Sequence, residues 1–214
     1  MYHDQLIFIN TLVRSIVNKL FTLLIGMIFF SISCSGCSAK LETAGLDSSE
    51  VESIDDRSFV TWETCGQMPG DHPCDFSMVD QHGNKFFLYD HYGKVIVLDF
   101  STMWCGVCNQ MAHDAQVFAN DYGSQGFVWA TILVDDSQGN PPDADDLSVW
   151  CSLYGINDAY VLAGDRSIID YTATVGYPIE AWPTFAVIDR EMVLQFGLRG
   201  WSETMVRQHV EGLL

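Results

Sequence analysis

Apolar and polar positions along the chain fall into blocks whose period changes, and the changes mark the elements. Phe76 to Asp80 alternates, Gln81-His-Gly-Asn84 reads as a turn, and Lys85 to Tyr89 resumes, which predicts a β-hairpin. Val95 to Phe100 and Phe127 to Val134 are continuous apolar runs, the pattern of central strands covered on both faces. Cys105 to Tyr122 predicts a helix with Val107, Met111, Ala115 and Phe118 on one buried face. Asp143 to Tyr154 predicts another, its acidic start suited to the positive end of the helix dipole. Tyr160 to Ala163 predicts a short strand and Arg166 to Val175 a short helix. Thr184 to Ile188 and Val193 to Leu198 predict strands about a turn at Asp189-Arg190, and Ser202 is placed to cap a final helix. Strands alternating with helices, closed by a hairpin and a helix, give an α/β sandwich about a mixed sheet.

The N-terminal pattern is different. Arg14 and Lys19 precede the apolar run Leu20 to Phe30, which ends in Ser31-Ile-Ser-Cys34-Ser-Gly-Cys37. A positive flank, a short apolar core and small residues predict an export signal over residues 1–37. A membrane-spanning helix is the alternative, because Leu6 to Val13 is apolar too. Arg14, Asn18 and Lys19 interrupt that longer run, and Leu20 to Phe30 falls short of the ~20 residues a span needs. Small residues before a cysteine resemble a lipoprotein signal, with Cys37 as the lipidation site and Cys34 as the competing one; simple secretion without lipid is the alternative. Lipid there anchors a protein to a membrane without spanning it. Residues 38–59 turn polar and acidic, with Glu42, Asp47, Glu50, Glu52, Asp55 and Asp56, and read as a flexible tether before a folded domain at 60–214.

Charge narrows the partners. The 214 residues carry a formal net charge of -18 with only 10 Lys+Arg, a surface that repels phosphate backbones, so nucleic-acid binding is not expected.

The chemistry lies in Asp99-Phe-Ser-Thr-Met-Trp104-Cys105-Gly-Val-Cys108. Cys105 sits at the predicted start of a helix directly after a buried strand, where free N–H groups and the dipole stabilise a thiolate. Cys108 lies one helical turn on and can close a disulfide with it. Cys105 is therefore expected to be the exposed nucleophile and Cys108 the buried resolving thiol. Two thiolates at this spacing are also half of a zinc site. His113 is the nearest recruit, but no second C-x-x-C or H-x(3–5)-H run supplies the rest.

Three further features carry a resemblance. Asp99, six residues before Cys105, matches the buried aspartate of thioredoxins; Trp104 matches the tryptophan that shields their disulfide; Trp182-Pro183-Thr184-Phe185 resembles their cis-proline loop. Pro183 also suits plain punctuation at a strand start. From about Asp75 to Leu214 the chain resembles the thioredoxin superfamily, and within it the TlpA-like exported branch. The resemblance implies a thioredoxin fold: a three-layer sandwich with a mixed central sheet, an N-terminal hairpin at Phe76–Tyr89, and a strand–helix insertion between about Asp135 and Gly176. It implies disulfide exchange with protein substrates, as a reductant fed by a membrane redox partner, with no cofactor and no metal. Asp99 then accepts the proton of Cys108, and Trp182, Pro183 and Thr184 bind the substrate chain through backbone pairing. Two departures are visible. Met111 stands where branch members in cytochrome c maturation carry a glutamate, which weakens that role, and Gly106-Val107 replaces the Gly-Pro of thioredoxin, which leaves the potential open.

The rivals are a thiol peroxidase and a non-catalytic copper- or zinc-binding module. Thr102 lies three residues before Cys105, as in the P-x-x-x-[TS]-x-x-C context of peroxidatic cysteines, but no proline occupies the matching position. Cys65 and Cys74 flank a loop rich in turn residues and are expected to form a structural disulfide, a second redox couple being the alternative. Cys151 is expected to be a buried free thiol, and His72 a solvated loop histidine. Asp135, Asp136, Asp143, Asp145 and Asp146 miss the calcium-loop spacing and are expected in a solvated loop and helix start.

Overall fold

The computed structural model describes residues 57–214; the expected export segment, Cys34, Cys37 and residues 38–56 of the expected tether lie outside the described residues. The chain runs β1 (Ser77–Asp80), β2 (Lys85–Phe87), β3 (Val95–Thr102), α1 (Gly106–Met111), α2 (Asp114–Tyr122) and β4 (Phe127–Asp135). It continues through α3 (Ala144–Tyr154), β5 (Tyr160–Ala163), β6 (Thr184–Ile188), β7 (Leu194–Arg199) and α4 (Glu203–Leu213). One seven-stranded sheet has the order β2-β1-β5-β4-β3-β6-β7. β3, β4 and β5 are parallel, while β6, β7 and the β1–β2 hairpin pair antiparallel. Among the described residues no helix is long and apolar enough to cross a membrane.

Strand alternation divides the core in two. Val95, Val97, Phe127, Trp129, Leu133, Val161, Phe185 and Val187 share one cluster with residues of all four helices. Ile96, Leu98, Phe100, Ala130, Ile132, Leu162, Ala186 and Ile188 face the other way, against Leu88, Tyr89, Tyr177 and Ile179, with Phe59, Val60 and Trp62 alongside. The three layers are thus helices, sheet, and a layer built from loops.

That third layer departs from the expected helix over Arg166–Val175. Only Arg166–Ile168 makes a short 3₁₀ turn. Beyond it the Asp170 carboxylate accepts from the N–H groups of Thr172, Thr174 and Val175, a local alternative to helical bonding, and Ala173 takes a left-handed φ of 54°. Ile168, Ile169, Thr172, Thr174 and Val175 are β-branched, which adds to the bias against helix. Gly176 is needed there, since a Cβ would lie 2.5 Å from the Ile168 carbonyl oxygen.

Two smaller corrections concern helices. The run from Cys105 to Tyr122 is split, and Ala115 and Gln116 bond three residues back, to Ala112 and His113. Val107, in the first turn past the end of β3, is 46% exposed, whereas Met111, Ala115 and Phe118 are buried as expected. Ser202 occupies the N-cap of α4 without a side-chain cap bond. Asp143, by contrast, caps α3 in a reciprocal box with Asp146.

Candidate active site

β3 delivers the chain to the site. Its register against β4 shifts between Ser101 and Thr102, and the Cys105 N–H closes a turn onto the Thr102 carbonyl at 3.2 Å. Cys105 then caps α1: its backbone is extended and its Sγ accepts the Cys108 N–H at 3.2 Å. Cys105 and Cys108 are joined as a disulfide. Cys108 is fully buried as expected, but Cys105 is buried too, at 7%, against the exposed nucleophile expected from the sequence, because its side chain packs in the core cluster beneath the helices.

Asp99 lies on the helical face of β3 and is wholly buried. It accepts from Ser101 Oγ at 2.6 Å and from Thr131 Oγ1 at 3.0 Å, and Trp129 Nε1 donates in turn to that Thr131 oxygen. Burial pushes its carboxyl up to about 6, against the opposing pull of the hydroxyl donors. A carboxyl that titrates near neutrality can take and return a proton at working pH.

Trp104 is 47% exposed, and its Nε1 donates to Asp135 Oδ2 at 3.0 Å. Asp135 is not in a solvated loop. It ends β4, is buried, and accepts a two-nitrogen contact from Arg166, Nε to Oδ1 at 2.9 Å. Its carbonyl also accepts the Met103 N–H. Asp136 is buried too, and closes a turn by accepting from the N–H groups of Gln138 and Asn140. The five aspartates do not form one cluster: Asp143 and Asp146 cap α3, and Asp145 is exposed.

The Trp182–Pro183 peptide is cis. Thr184 pairs with Phe100 and Phe185 with Asp99 across β3 and β6, so Pro183 falls one register step nearer the redox turn. Thr184 Oγ1 donates to the Ala181 carbonyl, and the Pro183 carbonyl accepts from the Gly200 N–H.

Other candidates lie elsewhere. His113 is exposed and pairs with Asp114, and among the described residues no three His, Cys, Asp or Glu side chains gather as metal ligands. Cys65 and Cys74 are joined. Their loop is laced to two segments: Gln67 N–H to the Ala173 carbonyl, Gly70 N–H to the Leu194 carbonyl, and Leu194 N–H to the Asp71 carbonyl. His72 is not a solvated histidine; its ring stacks on Trp62 at 3.8 Å, and its Nδ1 lies 2.7 Å from the Met192 carbonyl. Cys151 is free and half-buried, with burial pushing its thiol up to about 11.

Four residues were absent from the sequence reading of the site: Asp135 and Arg166, which hold Trp104, and Asn109 and Tyr154. Asn109 Nδ2 donates to the carbonyls of Met103 at 3.0 Å and Cys105 at 2.7 Å, and its Oδ1 accepts from the Tyr154 hydroxyl. Only the adjacency of Asn109 to Cys108 was visible as a signal.

The model of the AhpC/TSA family matches residues 69–196. Thioredoxin of Coprinus comatus is 37% identical over 52 residues, 24% of this chain and 49% of that protein, so the chain spans about half the length of the curated relative it matches. A putative thiol:disulfide interchange protein DsbE from Chlorobium tepidum superimposes with a TM-score of 0.56 at 22% identity, covering 69% of this chain and 99% of its own. The pneumococcal exposed lipoprotein thioredoxin of Streptococcus pneumoniae gives 0.52 at 26%, covering 65% and 100%. A putative protein disulfide isomerase from Bacteroides thetaiotaomicron gives 0.56 at 20%, covering 70% and 91%. The shared architecture is the thioredoxin fold.

Proposed function

The chain belongs to the AhpC/TSA family, and on that premise we propose that it is a thiol–disulfide oxidoreductase acting on protein substrates outside the cytoplasm. The observation that carries this reading is the Cys105–Cys108 disulfide at the start of α1, with Cys105 Sγ on a helix N–H and Asp99 buried in the strand that leads to it. In the reduced protein the Cys105 thiolate attacks one sulfur of a substrate disulfide. A mixed disulfide forms and one substrate thiolate leaves. Cys108 loses its proton to Asp99 and attacks Cys105 Sγ, which releases the second substrate thiolate and leaves Cys105–Cys108 oxidised. Two electrons pass to the substrate, and the same steps reversed oxidise a dithiol. The cis peptide at Pro183 lies one register step nearer this turn than the Phe100–Thr184 pair and presents the backbone on which a substrate strand pairs. Trp182 and Thr184 flank it.

The working direction is reduction, with electrons from a membrane partner. The export segment, the acidic tether and Cys37, or Cys34, place the domain at a membrane surface by a lipid anchor. Titrating the full-length protein in mild detergent against glutathione, with thiol trapping, tests the reading. A reversible two-electron couple near ~-270 mV supports a reductant, and one near ~-120 mV supports an oxidant. No couple at all sinks the proposal.

A thiol peroxidase is the second reading. It is favoured by the family and by Thr102, whose hydroxyl is buried without a partner three residues before Cys105. Peroxide consumption by the reduced protein, lost in Cys105→Ser and retained in Cys108→Ser, separates it from disulfide exchange.

A further inference from the structure

The helix α3 lies in the segment between β4 and β5, forty residues from the cysteines in sequence, yet it reaches the redox turn through one side-chain link. Tyr154, its last residue, donates its hydroxyl proton to Asn109 Oδ1. That bond fixes the amide so that Nδ2 faces the opposite way, toward the carbonyls of Met103 and Cys105. The Asn109 backbone N–H also donates to the Cys105 carbonyl, at 3.0 Å. Two carbonyl oxygens therefore meet one side-chain amide in the turn that carries Cys105. Tyr154 is itself positioned by Trp150, whose ring is buried and stands edge-on to it at 4.7 Å.

Carbonyl oxygens carry partial negative charge, and beside a sulfur that must ionise they oppose the thiolate. An amide N–H directed at both draws that charge away and holds the turn in one shape before any substrate arrives. We propose that Asn109, oriented by Tyr154, is a positioning residue that favours the Cys105 thiolate and sets the potential of the Cys105–Cys108 pair. The inference rests on that pair being the working redox couple. It makes α3 part of the redox machinery: what moves Tyr154 changes the reactivity of Cys105.

The sign follows from the chemistry. A less favoured thiolate destabilises the reduced form, so removing the amide makes the disulfide harder to reduce.

The test uses full-length wild type, Asn109→Ala, Tyr154→Phe and the double variant. Two quantities are read: the glutathione equilibrium, and the pH dependence of Cys105 alkylation by iodoacetamide. N109A is expected to favour the disulfide about tenfold, equivalent to about 30 mV, and to move alkylation to higher pH. Y154F, which removes one oxygen and leaves the packing, is expected to act in the same direction about threefold. The double variant is expected to match N109A, because the two residues act as one unit. A purely structural role lowers the melting temperature and moves neither quantity. If the wild-type couple is intact and both single variants stay within twofold of it, this inference alone is overturned; additive effects in the double variant overturn it as well. A wild type with no reversible couple overturns both the inference and the function it rests on.

Discussion

Cys105–Cys108 and Cys65–Cys74 are the same bond in two different settings. The first joins residues three apart at the start of a helix, directly after a half-exposed tryptophan and the strand that carries a buried aspartate. The second joins residues nine apart in a loop whose backbone is tied to segments near Ala173 and Leu194. Cys65 is exposed, neither cysteine begins a helix, and Cys74 Sγ lies on the Thr174 carbonyl. A thiolate released at Cys105 meets the Cys108 N–H where it forms, whereas Cys65 is exposed to solvent. Reactivity is therefore a property of the surroundings, and cross-linking is what remains where the surroundings supply nothing.

The comparison breaks most sharply at the nucleophile. Cys105→Ser is expected to lower reduction of a disulfide-bonded test protein by at least about a thousandfold, while Cys65→Ser with Cys74→Ser leaves the rate within about twofold. If the loop pair proves as necessary as Cys105, the division of roles fails. The loop pair is expected to show its effect in stability instead. Its removal costs about 2–3 kcal/mol, read as a lower denaturation midpoint. An unchanged midpoint argues against a structural staple.

Asp99→Asn sharpens the first setting. If Asp99 takes the Cys108 proton as proposed, mixed-disulfide resolution at pH 7 slows about tenfold in the variant. Stability is expected to move the other way. The Asp99 carboxyl titrates at about 6 in the fold, above its ordinary 3.8. Between these values the native state binds the extra proton, so stability falls as pH rises from about 4 to about 6 and is level above. The variant lacks that decline, which amounts to about 3 kcal/mol at pH 7. Denaturation midpoints at pH 4.5 and pH 7 distinguish this from a general packing effect. The smallest effect is expected at Arg166→Ala, which loosens Asp135 and through it Trp104. A shift in tryptophan emission with no more than about threefold loss of exchange rate is the outcome anticipated.

Much of the frame is legible from the chain alone. Tyr160–Ala163 and Thr184–Ile188 carry the predicted bounds because each is a short apolar run between turn residues, where period and length agree. The cysteine pair, Asp99 and Pro183 are found because their spacing is local or their motif is specific. Arg166–Val175 misleads because side-chain bonding by Asp170 competes with the helix, and hydropathy does not register that competition. Asp135 misleads differently. Its partners Trp104 and Arg166 each lie thirty-one residues away, on opposite sides, so nothing nearby distinguishes it from the solvated Asp145. Asn109 and Tyr154 are forty-five residues apart and meet only because α3 packs over the redox turn. Pairing by register is readable in advance; pairing by tertiary approach is not.

The uneven clothing of the sheet has a further consequence. Among the described residues the four helices cover one side, while the other is closed by the stretch near Phe59, the turn at Leu88 and the segment around Tyr177. Loops of this kind open in small, independent steps, and packed helices and central strands open only with the whole domain. Amides around Tyr177 are therefore expected to exchange with solvent sooner than those of β3 and α1, as hydrogen exchange would read. The Cys65–Cys74 loop fastens that side to Ala173 and Leu194, so loss of its disulfide is expected to speed exchange there before it touches the redox face.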